Sequence, residues 1–153
     1  MKWVKQSIHY WCPDTKEHKF LGQNVTVAIL DTGISPHPDF KGRILSFRDF
    51  SSTPGSSEKV LFSFSHFSPL IDNSGHGTHV AGILAGSGLL SSGTYAGIAP
   101  FCNLIIGKVL DQNGNGSIKN VINGIQWIRD IYTQFHIRII NISVGTRPDL
   151  SLS

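Results

Sequence analysis

The sequence predicts an α/β fold in which a mostly parallel sheet carries helices on both faces, a three-layer arrangement. The first observation is a set of short apolar segments rich in β-branched residues, at 25–30, 104–110 and 137–144. Apolar runs of this length, without alternation, are typical of strands buried on both faces of a parallel sheet. The second observation is a helical pattern over 118–131, between the last two strands. Strand, helix and strand in that order form a βαβ unit, whose connection is right-handed in nearly all proteins.

The N-terminal half adds weaker elements in chain order. Residues 1–22 show no hydrophobic period, so we expect an irregular N-terminal segment there and a single domain over 23–153. A further strand is predicted at 44–50. Ser, Pro and Gly are frequent over 51–74, which predicts a long loop. Small residues at 78–85 predict a short helix.

The helix predicted at 118–131 has both a start signal and an apolar face. Ser117 precedes it, and a serine at this position caps the first turn. Apolar residues then recur at spacings of three and four, which marks one side of a helix. We expect that side to lie in the core; it consists of Ile118, Val121, Ile122, Ile125, Ile128 and Ile131.

Composition and charge exclude several classes of protein. With 153 residues the chain has room for one domain and its core. Hydrophobic residues make up 40% and charged residues 15%, which argues against a disordered chain. The formal net charge is +3, but Lys and Arg are scattered, so we expect no nucleic-acid partner. No apolar run is long enough to span a bilayer, and no membrane partner is expected either.

The N-terminus and the cysteines bear on the compartment. The first residues carry charge but no apolar stretch follows them, which argues against a secretory signal. Cys12 and Cys102 are the two cysteines, and without a signal peptide we expect free thiols. These two observations favour a cytoplasmic location over secretion.

Two residues with catalytic chemistry stand where strands and helices meet. Asp31 follows the first apolar strand, and His76 lies 45 residues later between two glycines, at the start of the predicted short helix. Ligands of open parallel sheets bind at the carboxyl ends of the strands. A serine that attacks a peptide bond needs a base for its hydroxyl proton, and the base needs a carboxylate that holds its tautomer. Asp31 and His76 are candidates for these two roles.

Four motifs together resemble the subtilisin-like serine proteases. Residues 27–34, with His37-Pro38-Asp39 just after, resemble the aspartate motif of that family, and residues 76–82 resemble its histidine motif. Residues 97–100 and 141–145 are similar to two further landmarks. All four occur in the family's order, in the stretch 23–146. The resemblance implies that residues 23–153 are the N-terminal portion of a subtilisin-like domain, incomplete at its C-terminus.

The same resemblance implies the catalytic pair and the substrate. Asp31 would orient the ring of His76, and His76 would be the base. Two backbone edges would clamp an extended peptide or protein substrate by strand addition. The resemblance places these edges at Gly114, Asn115 and Gly116 and at Ser143, Val144 and Gly145.

The resemblance implies neither a cofactor nor a metal ion. Asp39 resembles a position that binds calcium in some relatives, but the loop that carries the other ligands has no match here, so we expect no metal.

The nucleophile of the family has no counterpart in this sequence. The family's serine lies in a Gly-Thr-Ser-Met-Ala-like turn, whereas Met1 is the only methionine here and no Gly-x-Ser-x-Gly occurs. The Ala-Gly-Asn-like motif that supplies the oxyanion asparagine has no match either. We therefore expect a truncated endopeptidase that is inactive alone. The alternatives are a non-catalytic pseudoprotease or peptide-binding module, and a split enzyme whose serine arrives on a separate, complementary segment.

The same residues also allow other interpretations. Asp31 could cap a turn, and Asp-Thr-Gly also occurs in aspartic proteases, which need a second such carboxylate. His76 and His79 could bind a metal, but no third ligand follows; we expect His79 to pack inside. Residues 111–116 resemble half of a calcium loop, but its twelfth position is Ile122 instead of a glutamate.

Overall fold

The computed structural model describes residues 2–8, 10, 20–51, 60–61 and 72–145. Within these residues the chain forms one five-stranded sheet, three α-helices and two short 3₁₀ helices. The strands are β1 (Thr26–Asp31), β2 (Ile44–Asp49), β3 (Val60–Leu61), β4 (Asn103–Lys108) and β5 (Ile137–Ile142). The helices are α1 (Lys2–Ser7), α2 (His76–Ala85) and α3 (Ile118–Ile131), with the 3₁₀ turns at Pro38–Phe40 and Leu89–Ser91.

The strand order in the sheet is β3-β2-β4-β1-β5. Strands β2, β4, β1 and β5 are parallel, and only β3 runs antiparallel to its neighbour β2. The predicted α/β class with a mostly parallel sheet is confirmed. Because β1 lies between β4 and β5, Asp31 at its end stands between the carboxyl ends of both neighbours, opposite Lys108 in the register.

The two faces of β1 pack against different helices. On one face, α2 covers Val27 and Ile29 through its small residues Ala81 and Ala85. On the other face, α3 covers Ala28 and Leu30 through Trp127 and Ile128. Fully burying one such aliphatic side chain stabilises the fold by about 1.5–3 kcal/mol. The prediction of helices on both faces of the sheet is confirmed.

Two boundaries in the N-terminal half differ from the prediction. Residues Lys2–Ser7 form α1, so the irregular segment expected over 1–22 is wrong for that stretch. Six residues are less than two helical turns, which is too short to show a hydrophobic period. Helix α2 begins at His76, two residues earlier than predicted, because its start depends on tertiary contacts of polar side chains and not on an apolar pattern.

Helix α3 has the predicted bounds, and Ser117 caps it by accepting a hydrogen bond from the Asn120 amide at 3.1 Å. The expected core face is only partly right. Ile118, Ile122 and Ile125 are 72%, 47% and 40% exposed.

The side of α3 that faces the sheet is set by close packing at Gly124. A Cβ atom there would stand 3.0 Å from a methyl group of Leu30 and 3.1 Å from one of Val109, so the helix approaches the sheet at this residue. Trp127 and Ile128 are buried with it. The isoleucines at 118, 122 and 125 therefore lie on the flank of the helix.

Strand β5 is also less buried than predicted. Ile139, Ile140 and Ile142 are 53%, 43% and 42% exposed, although the sequence predicts a strand buried on both faces. Among the described strands β5 pairs only with β1, so it is an edge strand whose second side carries no neighbour. An open cavity of about 270 Å³ lies beside it, against the exposed flank of α3.

Several expectations fall partly or wholly on residues that the structure does not describe. Of the loop expected over 51–74, residues 52–59 and 62–71 lie outside the described part, and β3 lies within that region. Cys12 also lies outside it, whereas Cys102 is a buried free thiol. No described helix combines the length and the apolarity that crossing a membrane requires.

We expect the 153-residue chain to bind an apolar fluorescent dye at β5 and the flank of α3, since exposed isoleucines and a strand edge that no other described strand covers promote association. Ile139→Lys is expected to reduce dye binding and light scattering while changing the free energy of unfolding by less than about 0.5 kcal/mol. The matched control, Ile29→Ala, removes a fully buried side chain and is expected to cost about 2–5 kcal/mol. A wild-type chain that stays monomeric without binding dye contradicts this prediction.

Candidate active site

The structure brings the side chains of Asp31 and His76 into direct contact. Oδ1 of Asp31 lies 2.7 Å from Nδ1 of His76. Asp31 is fully buried at the end of β1, whereas the His76 side chain is 52% exposed at the first position of α2. An ionised carboxylate only accepts hydrogen bonds, so Nδ1 carries the proton. In the neutral ring Nε2 is then left without a proton and is free to accept one.

The contact changes the protonation of His76. The hydrogen bond to Asp31 and the charge of that carboxylate raise the pKa of His76 above its ordinary value, and the charge of Asp72 adds to this. Desolvation opposes the shift without cancelling it. The imidazolium form is therefore stabilised at this position, as a group that accepts a proton during a reaction requires.

Of the two carboxylate oxygens of Asp31, only Oδ1 is hydrogen-bonded among the described residues, and it is the one that contacts His76. Oδ1 also accepts a hydrogen bond from the Thr32 amide at 2.7 Å. Oδ2 is buried and has no hydrogen-bond donor among the residues that the structure describes. The orientation of the carboxylate thus depends on the turn that follows β1.

A second buried carboxylate, Asp72, fastens the start of α2 to that turn. It accepts hydrogen bonds from the Thr32 hydroxyl at 2.8 Å, the Gly75 amide at 2.9 Å, and the amide and hydroxyl of Thr78 at 2.8 and 2.5 Å. Burial alone would raise the pKa of Asp72, but these hydrogen bonds outweigh it, so the pKa lies below its ordinary value. Asp72 is therefore held as an anion.

A glycine permits the close approach of α2 to the turn. A Cβ atom at Gly77 would collide with the carbonyl oxygen of Gly33 and stand 3.2 Å from Oδ1 of Asp31. The amide of Gly77 instead donates to the Thr32 hydroxyl at 2.9 Å. Gly33 itself has a φ of 119°, which side chains disfavour. Both glycines are thus required for His76 to reach Asp31.

The end of β4 and the residues that follow it also hold the turn after β1. The carbonyl oxygen of Asp31 accepts hydrogen bonds from the amides of Val109 and Leu110 at 2.9 and 3.2 Å. The ammonium group of the buried Lys108 donates to the carbonyl oxygens of Thr32 and Leu110 at 2.5 and 2.9 Å. A buried charge requires such partners, and here they fix the end of β1 to the chain that leads away from β4.

The two predicted substrate edges lie at the same end of the sheet, on either side of Asp31. One follows β4 and the other follows β5, because the strand order there is β4-β1-β5. Asp111 orders the first edge by accepting hydrogen bonds from the amides of Asn113 and Asn115 at 2.8 and 2.9 Å. All six residues predicted for the edges are exposed: Gly114, Asn115, Gly116, Ser143, Val144 and Gly145.

The expectation that His79 packs inside is wrong. Helix α2 buries Gly77, Ala81 and Ala85 against the sheet, so His79 points away from it and is exposed. It lines an open cavity of about 420 Å³ together with His37 and Tyr95.

Asp39 uses its carboxylate within the chain, since its oxygens accept hydrogen bonds from the amides of Gly88 and Leu90 at 2.9 and 3.3 Å. The described residues hold no group of three or more His, Cys, Asp or Glu side chains arranged for a metal ion.

Four residues of the site were missed by the sequence analysis: Thr32, Asp72, Thr78 and Lys108. Thr32 directly follows Asp31 in the sequence, and Asp72 stands in the predicted loop, four positions before His76. The available signal was the position of Asp72, since an acid shortly before a helix start often accepts hydrogen bonds from its first amides. Lys108 had no signal, because nothing in an apolar strand shows that its lysine is buried.

A parallel sheet with a buried strand-end aspartate bonded to the first histidine of a helix defines an α/β protein with a histidine–carboxylate pair. Comparison with known proteins identifies its family. The model of the subtilase family matches residues 22–152, and the chain belongs to that family.

Individual relatives agree with this assignment. The chain is 44% identical to serine protease AprX of Bacillus subtilis (strain 168) over 106 residues, which cover 69% of this chain and 21% of AprX. It is 37% identical to the major intracellular serine protease of the same organism over 131 residues, covering 84% of this chain and 36% of that protein. The chain thus spans only about a fifth to a third of the length of these relatives.

Solved structures show the same fold. The CspB protease of Clostridium perfringens superposes with a TM-score of 0.76 at 25% identity, over 90% of this chain and 32% of that one. Sphericase superposes with a TM-score of 0.69 at 28% identity, over 86% of this chain and 40% of that one. The predicted subtilisin-like fold is confirmed.

We expect Gly77→Ala to destabilise the fold, because the new methyl group meets backbone atoms of Gly33 that cannot turn away. Overpacking of this kind costs about 1–3 kcal/mol. The matched control is Gly82→Ala in the same helix, where a Cβ atom has no neighbour within 4 Å; it is expected to stabilise by up to about 1 kcal/mol. Denaturant unfolding of both variants measures the difference, and equal effects contradict the prediction.

The stability of the chain is also expected to depend on the protonation of His76. Because its pKa is raised in the folded state, the stabilisation is complete below the ordinary value of 6.5 and is lost as pH rises through the folded-state pKa. Asp31→Asn is expected to return the pKa of His76 towards its ordinary value and to remove this part of the pH dependence. NMR titration of His76 and unfolding at several pH values measure both effects; a wild-type pKa at or below 6.5 refutes the assignment.

Proposed function

We propose that this chain supplies the acid–base pair and part of the substrate cleft of a subtilisin-like serine endopeptidase. The observation that carries the proposal is the 2.7 Å contact between Asp31 and Nδ1 of His76 at the carboxyl end of a parallel sheet. In this proposal His76 is the general base and Asp31 is the carboxylate that orients it. Membership of the subtilase family supports these roles.

The geometry suits the proton transfers that peptide hydrolysis requires. With Nδ1 bonded to Asp31, Nε2 of His76 takes the proton of an attacking serine hydroxyl and later gives it to the leaving amine. Asp31 stabilises the imidazolium that forms in between, in accordance with the raised pKa of His76. The half-exposed ring is accessible to a nucleophile and a substrate arriving from solvent.

The nucleophile is proposed to come from a segment outside these 153 residues, because no part of this sequence resembles the family's serine motif. Such a segment would pack on β5 and the flank of α3, where apolar side chains are exposed beside a strand edge that no other described strand pairs with. Each isoleucine covered there contributes favourable burial. The 153 residues alone are proposed to be inactive.

The substrate is proposed to be an extended peptide segment held between the edges at 114–116 and 143–145. The residues of both edges are exposed at the end of the sheet where His76 and Asp31 meet, on either side of β1. Main-chain hydrogen bonds of the strand-addition type would bind the peptide with little dependence on its side chains. Peptide binding without cleavage is the second candidate function, and the exposure of both edges in the absence of a nucleophile motif favours it for the 153 residues alone.

The isolated chain is expected to remain unlabelled by a fluorophosphonate probe, since covalent catalysis needs an activated serine and no part of this sequence resembles the family's serine motif. An active subtilisin-like protease serves as the positive control. Stoichiometric labelling of the unchanged chain that is lost in the His76→Ala variant would refute the proposed inactivity.

Activity is expected to return when the chain is co-expressed with the serine-bearing part of a subtilase. In that complex His76→Ala is expected to abolish peptide hydrolysis, and Asp31→Asn to reduce kcat by about 10⁴-fold because the wrong tautomer is favoured. The control is His79→Ala, which changes an exposed histidine of the same helix and leaves kcat unchanged. An active complex that is indifferent to His76 overturns the proposed function.

A further inference from the structure

The carboxylate of Asp72 has no assigned role in the proposed chemistry, yet it is the most heavily bonded side chain near the catalytic pair. It is 9% exposed and receives two hydrogen bonds on each oxygen. On Oδ1 the donors are the Thr32 hydroxyl and the Gly75 amide. On Oδ2 both donors belong to Thr78. Two donors per oxygen nearly saturate an ionised carboxylate, so its position is fixed from several sides.

The hydroxyl groups of Thr32 and Thr78 both link α2 to the chain that follows β1. Thr32 lies in that chain and accepts from α2, whereas Thr78 lies in α2 and accepts from that chain. Thr32, in the turn after β1, donates to Asp72 and accepts from the Gly77 amide of α2 at 2.9 Å. Thr78, in α2, donates to Asp72 and accepts from the Ser35 amide beyond that turn at 2.9 Å. A hydroxyl has one proton, and in each threonine that proton is directed at Asp72. We call Asp72, Thr32 and Thr78 the carboxylate–threonine clasp.

The residues bonded in the clasp are direct chain neighbours of Asp31 and His76. Thr32 directly follows Asp31, and its amide binds Oδ1 of that carboxylate. Gly75, Gly77 and Thr78 surround His76 in the chain. Any shift of α2 along the turn that separates Nδ1 of His76 from Asp31 therefore also has to break bonds of the clasp.

We propose that Asp72 is a positioning residue, which through the clasp holds His76 in register with Asp31 and adds its negative charge to the field at the imidazole. The inference rests on the proposed function for its effect on catalysis, but its effect on His76 does not depend on that function. Capping of α2 does not by itself explain these bonds. A capping side chain accepts hydrogen bonds from amides of its own helix, whereas Asp72 also accepts one from the Thr32 hydroxyl in the turn after β1.

The charged groups around His76 give the effect a definite sign. Asp31 contacts the ring from β1, the charge of Asp72 acts on it from the chain before α2, and both raise the pKa of His76. The ammonium of Lys108 in β4 is held at the carbonyl oxygens of Thr32 and Leu110, and His79 follows on α2 itself. Removing the charge of Asp72 and loosening the contact with Asp31 both lower the pKa of His76, so the two consequences reinforce each other.

Asp72→Asn is the sharpest test. Each carboxylate oxygen accepts from a backbone amide, that of Gly75 or that of Thr78, so either orientation of an asparagine amide sets its NH₂ group against an N–H donor. We expect NMR titration of the 153-residue chain to show a lower pKa for His76. In the complex with a serine-bearing segment we expect kcat to fall about 10²-fold, the size of effect that a displacement of about 1 Å produces, with KM nearly unchanged.

A matched pair at Thr32 tests the clasp without removing a charge. Thr32→Ser keeps the hydroxyl and is expected to keep the pKa of His76 and the value of kcat, whereas Thr32→Val is expected to lower both. Asp130→Asn, at an exposed carboxylate of α3, controls for the loss of one negative charge and is expected to change neither.

The outcomes separate this inference from the proposed function. A folded Asp72→Asn chain in which the pKa of His76 is unchanged overturns the inference, even if the complex is an active protease. A complex that is indifferent to His76→Ala overturns the proposed function, while a lowered pKa of His76 in Asp72→Asn still supports the clasp. If Asp72→Asn does not fold, the Thr32 pair decides: equal pKa values for His76 in the serine and valine variants overturn the inference.

Discussion

The approach of helix α2 to the turn after β1 is the constraint on which the rest of the site depends. Gly77 lies so close to Gly33 that no side chain fits between them, and only at this distance does Nδ1 of His76 reach Asp31. The contact needs a rigid support on each side. Strand β1 provides one, because it is buried on both faces and paired with β4 and β5. The small residues Ala81 and Ala85 provide the other by letting α2 lie flat on the sheet.

Charge is distributed over the site so that each buried group has a partner close by. Burying a carboxylate without hydrogen-bond partners destabilises the fold. Oδ1 of Asp31 is bonded to the Thr32 amide and to His76, whereas Oδ2 has no donor among the described residues. Asp72 accepts four hydrogen bonds, and Lys108 donates to two carbonyl oxygens. Two carboxylates bonded to Thr32 and an ammonium group bonded to the carbonyl oxygen of the same residue thus hold the turn after β1 in place.

The sequence predicted the four parallel strands, helix α3 and the residues Asp31 and His76, because each of these depends on a local pattern or on a short motif, whereas β3 lies in a region predicted as a loop. The bounds of α3 agree with the prediction since both Ser117 and the apolar spacing report on a local structure. The clasp could not be predicted in the same way. Asp72 and Thr32 are 40 positions apart, and only the tertiary fold brings a loop aspartate onto a turn threonine. Likewise, the bonding of Lys108 to two carbonyl oxygens is a property of the packed turn and not of its strand.

The two errors in predicted burial, at α3 and at β5, have one cause. The isoleucines at 118, 122 and 125 form a second apolar stripe beside the one that packs on the sheet, and Ile125 of this stripe lies close to the exposed isoleucines of β5. A hydrophobic pattern shows that a face requires cover, but it does not show what covers it. Gly124 decides which stripe meets the sheet, since the helix comes closest where a side chain is missing. Ile125 of the other stripe lines an open cavity with Ile139 and Ile140 of β5, and among the described residues nothing covers these isoleucines.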